Sequence, residues 1–70
     1  MKRTSVSSSN VASVGYDEET KTLEVEFHGG AVYEYHSVPK SEYQGLLHAP
    51  SVGKYLHGHI RGVYPHSKMT

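Results

Sequence analysis

The sequence predicts an α+β domain in which a three-stranded antiparallel β-meander packs against one or two short C-terminal helices. Strict alternation over residues 22–28, with Leu23, Val25 and Phe27 set against Glu24, Glu26 and His28, marks a half-buried strand. Turn-rich clusters separate this strand from apolar runs on either side, and connections that short join antiparallel neighbours. After Pro39 the apolar spacing changes from two to three and four residues.

The 70 residues amount to one domain with a thin core, since a chain of this length buries only about 60% of its unfolded surface. Leu, Ile, Val and Phe supply 14 residues, close to the composition of disordered chains, yet the formal net charge is zero and six tyrosines add apolar bulk. Disorder requires high net charge as well, so a folded chain is expected. The absence of cysteine excludes a disulfide scaffold, a thiolate zinc site and a cysteine nucleophile. Met1-Lys2-Arg3 is followed by polar residues rather than an apolar run, and no stretch has the length of a membrane span, so a cytoplasmic protein is expected.

Residues 1–8 read as a solvated polar tail, residues 9–65 as the domain and residues 66–70 as a C-terminal tail. The first strand covers residues 11–16. A four-residue loop, Glu18 to Lys21, pairs Asp17 with Thr22, Tyr16 with Leu23, Val14 with Val25 and Ala12 with Phe27. For the second hairpin a two-residue Gly29-Gly30 loop would mix Glu34 and His36 into the apolar face. A three-residue loop with Gly30 in the left-handed region instead pairs Phe27 with Ala31, Val25 with Tyr33 and Leu23 with Tyr35. The predicted inner face is then Ala12, Val14, Tyr16, Leu23, Val25, Phe27, Tyr33 and Tyr35. Glu24, Glu26, Glu34 and His36 face outward.

A one-faced sheet needs a cover. Residues 39–49 supply Tyr43, Leu46 and Leu47 at helical spacing, and Pro50 ends that helix. Ser51 is an N-cap for a second helix. On a wheel of about 100° per residue, Val52, Leu56, His59, Ile60 and Val63 share one face, while Lys54, His57 and Arg61 share the other. Glycines 53, 58 and 62 weaken this helix, which can stop at Gly58 and leave residues 60–65 extended.

Zero net charge conceals segregation. Residues 17–42 carry −5, whereas residues 43–70 carry +3 with no acid and four of the six histidines, which add charge in mild acid. A basic segment interleaved with Tyr43, Tyr55 and Tyr64 can hold phosphate and stack on bases. The alternative is a solvated helix face. His57 and His59 diverge by about 200° on a helix and do not share a metal ion there, whereas on an extended tail they could. No nucleophile with a base, and no convergent carboxylate pair, stands out, and residues 50–54 have the wrong glycine spacing for a phosphate loop. A non-enzymatic domain without metal or cofactor is expected.

The runs Ser9-Asn10-Val11, Val14-Gly15-Tyr16-Asp17, residues 20–27, Tyr33-Glu34-Tyr35, Val38-Pro39, residues 49–55 and Ile60 to Pro65 resemble the KTSC domain, over about residues 8–65. That family is named for the C-terminal extension of some lysyl-tRNA synthetases and also occurs as free-standing small proteins in bacteria and their phages. Tyr33, Tyr35, Pro50, Ser51, Gly53, Lys54 and Tyr55 stand at its motif positions. The resemblance implies no catalytic residue and makes RNA, tRNA included, the expected partner. The residues expected to carry nucleic-acid binding are Lys40, Lys54, Tyr55, His57, Arg61 and Tyr64. A protein-interaction module using the outer sheet face or the helix pair is the second reading. Neither reading has a membrane or small-molecule ligand, and a monomer is expected.

Overall fold

A computed structural model describes residues 2–70. Strands β1 (Arg3–Ser5), β2 (Val11–Asp17), β3 (Thr22–Phe27) and β4 (Val32–Tyr35) precede helices α1 (Lys40–His48) and α2 (Val52–Tyr55). Helix α2 runs directly into a π-helical turn, Leu56–Ile60, after which the chain returns as β5 (His66–Lys68). The sheet is antiparallel with strands in the order β1-β2-β3-β4-β5, so it has five strands rather than the three expected.

The two additional strands lie where polar tails were anticipated. Arg3-Thr4-Ser5 and His66-Ser67-Lys68 are exposed throughout, and backbone bonding to β2 and β4 holds them instead of apolar burial. Hydropathy carries no trace of such strands. Short, charged strands of this kind also blunt the sheet edges against pairing with other chains.

The central registers follow the alternation. Tyr16 lies opposite Leu23, Val14 opposite Val25, Val25 opposite Tyr33 and Leu23 opposite Tyr35. Gly30 has φ 94°, and the Phe27 amide donates to the Ala31 carbonyl at 2.9 Å, as the three-residue loop requires. The first hairpin departs at its far end. A bulge between Val11 and Ser13 places Val11, not Ala12, opposite Phe27, so Val11 is fully buried and Ala12 is displaced from the ladder.

Val11, Val14, Leu23, Val25 and Tyr35 from the sheet meet Val38, Leu46, Val52, Leu56 and Ile60 from the covering layer in one core. Pro39 caps α1, its carbonyl accepting from the Glu42 amide at 3.0 Å. Tyr43 of α1 stacks on Tyr16 with ring centroids 5.0 Å apart, and the Tyr16 hydroxyl donates to the Val38 carbonyl. Burial is the main cause that pushes the Tyr16 and Tyr35 phenols above their ordinary value.

Ser51 caps α2 as expected, its hydroxyl accepting from the Lys54 amide at 3.3 Å. The helical path does not stop at Gly58. It widens, and the Arg61 amide donates to the Leu56 carbonyl five residues back at 2.8 Å. The wider turn keeps Ile60 buried but removes His59 and Val63 from the predicted apolar face. His59 is exposed, and Val63, beyond the turn, is 61% exposed.

Candidate nucleic-acid interface

The N-terminal loop and α2 form facing walls of an open groove of about 900 Å³. One wall comprises residues 7–10 with His28 and Gly29 of the β3–β4 turn, and the other comprises residues 50–54 with His57, Gly58 and Arg61. The first wall is built by local hydrogen bonds. Ser8 Oγ accepts from the Asn10 and Val11 amides at 3.3 and 3.2 Å, and His28 Nε2 lies 2.8 Å from the Ser8 carbonyl. These bonds give residues 7–10 a defined path, whereas Ser7 and Ser8 were expected to belong to a solvated tail.

On the second wall, Ser51 fixes the start of the helix, and helical spacing then places Lys54 and His57 along the groove. Arg61 joins them from the residue that ends the π turn. Lys54, His57 and Arg61, expected to act together, are therefore brought together. His28 adds a further imidazole from the opposite wall, a member of the site that the sequence pattern did not single out. No Asp or Glu lines the groove. Among the described residues, neither Lys54 nor Arg61 takes part in an ion pair.

The other three expected residues lie elsewhere. Tyr55 turns toward α1, where its hydroxyl donates to Glu42 Oε1 at 2.5 Å, and Tyr64 donates to the other oxygen of the same carboxylate at 3.4 Å. The hydrogen bond to Glu42 is the main cause that raises the Tyr55 phenol above its ordinary value, whereas burial leads for Tyr64, with the Glu42 charge second. The missing side chain of Gly45 makes room for Tyr55, since a Cβ there would collide with its hydroxyl and ring. Lys40 binds Glu18 of the β2–β3 loop at 2.6 Å, and this bond is the main cause that raises its ammonium above the ordinary value. The close histidine pair divides as well. His57 lines the groove while His59 stacks on Tyr55, ring centroids 4.3 Å apart.

A second recess of about 240 Å³ adjoins the groove, lined by Phe27, Ala31, Tyr33, Tyr35 and Arg61. Phe27 and Arg61 line both spaces. Tyr35 is 2% exposed and belongs to the core, as expected of both tyrosines. Tyr33 is only half-buried. It meets Phe27 edge to face at 5.7 Å and His66 at 5.8 Å, and Lys68 lies opposite it on β5. The outer sheet face has the opposite character. Glu24 and Glu26 both pair there with Arg3, and Ser13 Oγ donates to Glu26 Oε1 at 3.0 Å.

These features define a small α+β domain, a one-sided antiparallel sheet with a cationic groove beside a half-exposed aromatic recess. The chain belongs to the KTSC domain family, whose profile matches residues 7–64. It is similar to the crystal structure of a KTSC domain protein from Yersinia pestis, with a TM-score of 0.93 and 36% identity, covering 99% of this chain and 97% of that one. An uncharacterized protein of Stutzerimonas stutzeri (strain A1501) is 48% identical over 56 residues, covering 80% of this chain and 79% of the relative. A lysine–tRNA ligase of Trichormus variabilis (strain ATCC 29413 / PCC 7937) is 40% identical over 55 residues, 79% of this chain but only 10% of the ligase. The domain thus corresponds to a small part of that enzyme. No helix among the described residues is long and apolar enough to cross a membrane.

Proposed function

We propose that this KTSC domain is a non-enzymatic RNA-binding module, with tRNA among its ligands, and that the groove between the N-terminal loop and α2 holds the phosphate backbone. The observation that carries the reading is a groove lined by Lys54, Arg61, His28 and His57 and by no carboxylate. Phosphate oxygens gain from both fixed cations, and releasing the counterions they displace drives association. The outer sheet face, with Glu24, Glu26 and Glu34, repels the same ligand. The related segment within lysine–tRNA ligases supports tRNA as the RNA to try first.

Two fixed cations predict weak, salt-sensitive binding. For single strands the logarithm of affinity falls by about 0.7 per neutralised phosphate for each unit of log salt, so the slope is near −1.4. Titration of labelled tRNA by fluorescence anisotropy at low salt measures it. Charge reversal in a Lys54→Glu/Arg61→Glu variant abolishes the signal. Wild-type protein that leaves tRNA unbound at low salt sinks the proposal.

A further inference from the structure

Resting on the reading of the groove as a phosphate track, the geometry points to a second element of recognition: the Phe27–Tyr33 recess takes an unpaired nucleobase, which makes the ligand single-stranded RNA. Three observations converge there. The recess and the groove share Arg61, so a phosphate held by that guanidinium leaves its neighbouring base at the mouth of the recess. Its volume of about 240 Å³ falls below the roughly 300–1,000 Å³ of small-molecule sites and suits one planar ring. Its lining is cationic and aromatic, with half-buried Tyr33 and Phe27 beside exposed Arg61, and exposed Lys68 lies opposite Tyr33 on the neighbouring strand.

Charge selects the occupant. An apolar peptide side chain gains nothing from Arg61 and Lys68, whereas a nucleotide engages the rings with its base and the cations with its phosphate. A base inside a duplex is stacked on its neighbours and cannot enter, so recognition depends on the strand being unpaired.

The test compares a short oligouridine with a duplex of equal phosphate number, using the full chain as wild type and as Tyr33→Val, Tyr33→Phe and Lys54→Ala/Arg61→Ala variants. Losing the stacking ring in Tyr33→Val is expected to weaken single-strand binding roughly tenfold, while duplex binding and the salt slope stay unchanged. Tyr33→Phe keeps the ring and restores affinity. Lys54→Ala/Arg61→Ala weakens both ligands. In the wild type, oligouridine shifts the ring-proton resonances of Phe27 and Tyr33, a readout that requires no variant to fold.

Wild-type rings that stay unshifted at saturation, or equal oligouridine affinity in wild type and Tyr33→Val, overturn the base site. The groove reading survives that result provided that Lys54→Ala/Arg61→Ala still weakens binding. A wild type that binds neither RNA overturns both.

Discussion

The Tyr55 hydroxyl donates to Glu42 Oε1 at 2.5 Å and thereby fastens α2 to α1. Tyr64 reaches the other oxygen of that carboxylate, so one acid collects three segments of the covering layer. This explains why two tyrosines that read as free stacking groups beside basic residues are absent from the groove.

Gly45 is expected to resist substitution by a better helix former. Alanine in α1 would gain about 1 kcal/mol of intrinsic propensity. Its Cβ, however, meets the Tyr55 ring, which His59 and Glu42 hold in place. Overpacking of about 1–3 kcal/mol wins, so Gly45→Ala lowers the urea midpoint. A Gly45→Ala protein as stable as wild type contradicts this packing.

Stability is expected to fall in alkali. The phenols of Tyr16, Tyr35, Tyr55 and Tyr64 are all raised above their ordinary value near 10. The folded state therefore keeps these protons longer than the unfolded chain. Their contribution is fully present below about pH 10 and is lost as pH rises through the folded values. Urea midpoints at pH 9 and pH 11 check the sign, and Glu42→Gln lowers the Tyr55 value in a spectroscopic phenol titration.

Single substitutions separate the residues of the groove from those outside it. Lys54→Ala and Arg61→Ala each weaken tRNA binding and each reduce the magnitude of the salt slope by about 0.7. Lys40→Ala, Tyr55→Phe and Tyr64→Phe leave affinity unchanged, because their partners are Glu18 and Glu42. Anisotropy titrations at three salt concentrations decide, and a loss with Lys40→Ala would move the binding surface to the other end of α1.

Two residues other than glycine sit in the left-handed region, Lys21 with φ 55° and Ser37 with φ 61°. That conformation costs an L-residue about 1–2 kcal/mol, and glycine gives back about 0.5–1 kcal/mol through the freedom it restores to the unfolded chain. Lys21→Gly and Ser37→Gly are each expected to stabilise by up to about 1 kcal/mol, measured by urea unfolding.

Much of the fold was legible because alternation and loop length constrain each other. With Leu23, Val25 and Phe27 on one side, only the three-residue Gly loop keeps Glu34 out of the core, and that register is observed. The bulge at Ala12 was hidden, since valine and alanine are both acceptable inner residues. Strands β1 and β5 were hidden because backbone pairing and surface contacts, such as those of Arg3 with Glu24 and Glu26, hold them without apolar burial. For the candidate site, helical spacing put Lys54 and His57 on one face, and both line the groove, whereas His28 enters through the folding of the distant Ser8 loop. Tyr33 and Tyr35 are identical in type and spacing. Yet Tyr35 is buried in the core while Tyr33 packs against it half-buried, beside the smaller recess.

The π turn at Leu56–Ile60 separates how many cations the second wall carries from where the last one aims. Lys54 precedes the turn and Arg61 follows it, so the two sit on segments whose relative angle depends on one additional residue per turn. If the same residues closed as an ordinary α turn, with the Ile60 amide on the Leu56 carbonyl, Leu56 would stay seated in the core while the guanidinium swung by about 100°. The protein would keep all its charge and lose its alignment, since Arg61 would no longer stand at the junction of the two recesses.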